Sequence, residues 1–220
     1  MNTLALIGLG LILGIRHATD ADHVVAVTAI AARCRRVGPA ALVGAVWGLG
    51  HTLTIFVVGG LIIVFNLVVP PRLGLSFEFA VGVVLAVVGA LNVAGKGGFV
   101  TAGVHDHDDA LPSSRAFLVG LVHGLAGSAA VALLVLATVR NPVAGCAYLL
   151  VFGLGTVIGM MLVTVAFASP VAALSRRSAY TGAGLRVATG VLSLAFGVWV
   201  MFETGWVHGL FRSTVQWTPQ

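Results

Sequence analysis

The sequence predicts an all-α integral membrane protein whose six transmembrane helices form two inverted three-helix repeats. Composition, the spacing of apolar runs and a likeness between the halves predict it. Of 220 residues, 59% are hydrophobic and only 9% charged, and the mean hydropathy is +1.07. A soluble domain needs far more charge to cover its surface. Apolar runs fall at 3–32, 39–66, 76–97, 115–138, 143–168 and 183–205, and crossing a hydrocarbon core of ~30 Å takes about 20 residues. "GIRHATDADHVVAV" lies over "LVHGLAGSAAVAL" with His17 on His123, "WGLGHTLTI" over "FGLGTVIGM", and "FAVGVVLAVVG" over "VATGVLSLAFG", at offsets of 106, 105 and 108 residues. Three is odd, so the second copy inserts upside down, as in many secondary transporters with sites between their repeats.

The chain is thus one transmembrane domain over 1–220. It holds a first repeat at 1–97, a loop at 98–114 and a second repeat at 115–208. The first run lacks a basic segment before it and reads as a retained helix, not a signal peptide. Breaks fall at "RCRRVGP" (33–39), "VPPRLG" (69–74), "RNP" (140–142) and "SPVAALSRRS" (169–178). Glycines four apart, as in "GAVWG", "GLVHG" and "GTVIG", suit close helix packing in lipid. Arg33, Arg35, Arg36, Lys96, Arg115, Arg176, Arg177 and Arg186 follow the odd-numbered spans, against Arg72, Arg140 and Arg212 on the other side. The positive-inside rule then puts the odd-numbered loops in the cytoplasm and both termini outside. The same placement makes the net charge of +5 a topology signal and not a nucleic-acid surface. Cys34 and Cys146 fall near opposite faces, too far apart to pair.

Within the first run stands "RHATDADH" (16–23). Charged groups at bilayer depth cost several kcal/mol and persist where they pair, line a cavity or bind something. At ~100° per residue, His17, Asp20 and His23 form one stripe and Asp22 falls opposite it. Either Asp22 serves another task, such as pairing with Arg16, or the helix is unwound near 18–22, which lipid tolerates where the freed backbone lines a site. Imidazole with carboxylate suits divalent first-row metals. At ~1.5 Å per residue, His17, His51, His23 and His123 lie about 22, 18, 14 and 12 Å from the cytoplasmic ends of their helices, in one central slab. The candidate metal ligands are therefore His17, Asp20, Asp22, His23, His51 and His123. Glu78, Glu203 and His208 are placed at the outer interface, Trp47 in packing, and Asn92 as a bridge between helices.

At these residues the chain resembles the nickel/cobalt transporter family of prokaryotic membranes. That family is marked by a His-x4-Asp-His helix, which "RHATDADH" matches, and by Leu-Gly-His-Ser/Thr, which "LGHT" (49–52) matches. The resemblance implies metal-recognition roles for His17, Asp22 and His23, with Asp20 beside them, and a prokaryotic cytoplasmic membrane as the location. Larger members carry an acidic block in the corresponding later helix. Here "GLVHGLAGSAA" (120–130) has Gly124 and Ser128 in those places, as in the shorter, urease-accessory-type branch.

The expected function is secondary transport of Ni2+ or Co2+, which are cargo and not cofactors, by uptake through a midplane His/Asp site. No nucleophile–base set suggests an enzyme, and "GKGG" (95–98) fails the phosphate-loop spacing. The partners expected are the divalent ion, the lipid bilayer and further copies of the chain, with no nucleic acid. Two alternatives remain: efflux or metal/proton antiport fed by "HDHDD" (105–109), and a non-transporting membrane partner that delivers nickel.

Overall fold

The computed structural model describes residues 3–32, 34, 36–65, 67, 69–96, 114–125, 141–177 and 179–216. Among them every regular element is helical: α1 (Thr3–His17), α2 (Ala21–Ala31), α3 (Val37–Phe65), α4 (Pro71–Val93), α5 (Ser114–His123), α6 (Pro142–Arg177), α7 (Ala179–Phe202) and a π-helical turn at Glu203–Val207. Four stretches, Val37–Phe65, Pro71–Val93, Pro142–Val171 and Gly182–Val207, are long and apolar enough to cross a bilayer. The protein is a multi-pass membrane protein. Its helices are apolar outside and polar within: Leu49, Leu53, Val57 and Leu61 run exposed down one face of α3, while His51 and Thr54 are buried with Trp47 on the other.

The first span is two helices, with the chain turning at 18–20, the unwound alternative that the sequence left open. Two predicted boundaries shift. α4 begins at Pro71, because a proline at the first helical position loses a hydrogen bond it would not have made. α6 runs through Pro170, where the sequence placed a break, and stops at Arg177. Ser169 Oγ donates to Val165 O in the turn before that proline. The expectations for 126–138, for Ser128 and for the loop at 98–114, apart from Ser114 at the start of α5, lie outside the described residues, as does "HDHDD".

α3 packs on α6, α4 on α7, α1 on α6 and α3 on α5. Glycines set these approaches, and the contacts come in matched sets. A Cβ at Gly14 would meet Phe152 O, and one at Gly120 would meet Trp47 O. Gly155 faces Leu11 O, and Gly50 faces Phe117 O. Gly82 faces Gly197 O as Gly190 faces Gly89 O. Each second contact is the first shifted by the offset that superposes the halves. Asn92 bridges helices as expected, its Nδ2 donating to Ala29 O at 2.7 Å.

Candidate metal centre

The centre begins with the way α1 ends. After His17 the chain tightens: Thr19 N bonds Arg16 O, Asp20 N bonds His17 O, and Thr19 Oγ1 donates to Arg16 O at 2.6 Å. Asp20 is then extended (φ −61°, ψ 149°) and precedes α2, but its side chain caps nothing. It accepts from His17 instead, with Nδ1 2.8 Å from Asp20 Oδ2. In an unbroken helix, His17 and His23 would stand ~9 Å apart along the axis and about 120° apart around it. The turn brings their rings to 4.8 Å.

His23, at the first turn of α2, is the hub. Its ring centroid lies 4.8 Å from His17, 5.0 Å from His51 and 4.9 Å from His123. Its Nδ1 is 2.9 Å from Asp22 Oδ1. Asp22 Oδ2 lies 3.1 Å from His123 Nε2, within ion-pair range but off the line of a hydrogen bond. Asp22 thus addresses two imidazoles and not Arg16. His51, from α3, places Nε2 2.9 Å from His17 Nε2. A carboxylate only accepts, so the Nδ1 of both His17 and His23 carries the proton and Nε2 offers its lone pair. Metal-bound histidines are held in this tautomer by such carboxylates.

Five of the six predicted ligands meet, in two overlapping groups, and Asp20 stands behind His17 outside both. The ligand atoms of His17, His23 and His51 lie within 4.8 Å of one another, and so do those of Asp22, His23 and His123. His23, His51 and His123 are fully buried. His23 Nε2, His51 Nδ1 and both nitrogens of His123 lack hydrogen-bond partners. Each unsatisfied buried group costs about 1–3 kcal/mol, so this cluster is expensive unless something occupies it. Two nitrogens at right angles on an ion, each ~2.05 Å away, would stand ~2.9 Å apart. His17 Nε2 and His51 Nε2, joined by a hydrogen bond at 2.9 Å, have that separation.

The sequence missed the aromatic walls. Trp47 stacks on His23 (6.0 Å, 22°) and meets His123 edge-on at 5.3 Å. Phe152 lies 5.5 Å from His17. The repeat offset of 105 that pairs Trp47 with Phe152 was the available signal. Glu78, Glu203 and His208, placed at the interface by sequence, line a cleft of about 440 Å3 together with Asp20, Asp22 and Trp199. The π-helical turn carries Glu203 there, and such turns recur at functional sites.

No family model matches the chain, and no solved structure matches it. It is similar to the urease accessory protein UreH of Bacillus sp. (strain TB-90), 33% identical over 222 residues that cover 96% of this chain and 97% of that protein. With this likeness running nearly end to end, and the His/Asp cluster built from the family's own motif, the chain belongs to the nickel/cobalt transporter family, in its shorter, UreH-type branch.

Proposed function

We propose that the protein is a secondary transporter of the cytoplasmic membrane that takes up Ni2+, and Co2+ by the same chemistry, through the centre at the break in the first span. One observation carries this: His17, His23 and His51 converge as buried imidazoles, with Asp20 and Asp22 orienting two of them from behind. The ligands are His17, His23, His51 and His123, with Asp22 both ligand and counter-charge and Asp20 holding His17. The matched glycine contacts support two inverted halves, 1–97 and 115–208; with six spans, the distribution of basic residues puts both termini outside. In that orientation the cleft bearing Glu78, Glu203, Asp20 and Asp22 faces outward and draws in a cation. A dication moving inward gains about 4.6 kcal/mol per 100 mV, over a thousandfold accumulation, so no nucleotide is required.

Uptake into vesicles at a valinomycin-set potential tests this. Nickel accumulation should rise with inside-negative potential and vanish in His17→Ala and His23→Ala. Wild-type uptake by both variants would reject the site. A second reading, a membrane partner that delivers nickel without moving it, is favoured by the relative's description as an accessory protein. Vesicles that bind nickel but accumulate none would establish it.

A further inference from the structure

We propose that the centre holds one ion at two alternating positions that share His23: an upper one among His17, His23 and His51, and a lower one among Asp22, His23 and His123. This rests on the reading of the protein as a nickel carrier. The two groups are separately compact and meet only at His23. Each contains one pair of facing ligand atoms about 3 Å apart. In the upper group these are His17 Nε2 and His51 Nε2, at 2.9 Å; in the lower, Asp22 Oδ2 and His123 Nε2, at 3.1 Å. A proton joins the upper pair as a hydrogen bond and a cation there would take its place, while the lower pair is close without being aligned for one.

His123 makes the lower position more than packing. It is fully buried, and neither ring nitrogen has a hydrogen-bond partner. A histidine that only filled space would leave Nδ1 unsatisfied at about 1–3 kcal/mol, and Nε2 with no more than a misaligned contact to Asp22. An imidazole with one N–H has one lone pair, so His23 serves one ion at a time and the positions exclude each other. The ion passes between them by exchanging His17 and His51 for Asp22 and His123 while His23 stays bound. It is never stripped of protein ligands, and each position is weak enough to leave, as conduction through successive sites requires. The upper position offers three nitrogens and holds the ion at equilibrium; the lower offers two nitrogens and a carboxylate already engaged by His23 Nδ1, and holds the ion only in passage.

The test compares wild type, His123→Gln and His17→Ala, each as the full chain in vesicles, for equilibrium nickel binding and for nickel uptake. Wild type should bind one nickel per chain. His123→Gln should bind within about threefold of wild-type affinity yet take up nickel about tenfold more slowly, while His17→Ala loses both. Wild-type uptake by His123→Gln would overturn the second position. So would a loss of affinity as large as that of His17→Ala, which would mean one common centre. Two ions per wild-type chain at saturation would overturn the sharing of His23, a measurement that stands even if the variant fails to fold. A wild-type chain that binds or moves no nickel would instead sink the carrier reading, and this proposal with it.

Discussion

Two helix ends in the core invite comparison. α1 stops at His17 and α5 stops at His123, positions 106 residues apart. Each histidine meets an aromatic ring from a long helix packed beside it, Phe152 for His17 at 5.5 Å and Trp47 for His123 at 5.3 Å. Each helix approaches that neighbour closely through glycine, Gly14 at one and Gly120 at the other. Beyond the histidines the likeness stops. The first end continues into Asp20, Asp22 and His23, and the second into "GLAGSAA". The frame is written twice and the chemistry once. Packing costs nothing to repeat, whereas each further acid at bilayer depth costs several kcal/mol, and one ion path needs only one charged centre.

The sharpest way to break this comparison is to empty the first end. His23→Ala removes the hub of both ligand groups and should cut nickel uptake at least about 100-fold, read as initial rate in vesicles; a loss under about tenfold would mean the second end can carry the ion alone. Next comes the frame. Gly14→Ala and Gly120→Ala each drive a methyl into a backbone carbonyl and should destabilise the protein by similar amounts, about 1–3 kcal/mol, seen as paired losses in Tm in detergent. Unequal losses would show that the two ends are held differently. Smaller still, Trp47→Leu should weaken nickel binding about threefold more than Phe152→Leu, because Trp47 touches two of the histidines and Phe152 one. The smallest effect lies outside both ends. Burial pushes the Cys34 thiol up from 9.0 to about 11, so little thiolate exists at neutral pH. Maleimide should label Cys34 more slowly than Cys146, with a rate that climbs with pH until about 11. Equal labelling at neutral pH would mean the Cys34 loop is open.

Much of the centre was legible because imidazole and carboxylate are conspicuous in an apolar run. His17, His23 and His51 could be placed in one slab by counting rise per residue, and His123 followed from the repeat register. The role of Asp22 could be read from the family motif but not from helix geometry. Helical periodicity put it opposite the stripe of His17, Asp20 and His23, and whether it turned away or the helix broke depended on interactions from other helices. The turn at 18–20 resolved this by rotating α2 relative to α1, after which Asp22 faces His23 and His123. The cleft that Glu78, Glu203 and His208 line was hidden for the same reason. Their depth was readable, but the gap that α4, α7 and the π-helical turn leave beside the break was not. Pro170 was misleading locally, since proline normally ends a helix and here α6 carries on through it.

Sequence alone determined that this chain lives in a membrane, where its apolar helices begin to within a turn or two, and which polar side chains it buries, because hydropathy and residue chemistry are local properties. Tertiary structure decided which imidazoles share a proton or an ion, which carboxylate stands behind each, and how the cleft reaches them. Those are distances of about 3 Å between atoms on different helices. They depend on the angle at one broken turn and on how closely glycines let neighbouring backbones approach, and neither is encoded by any single segment.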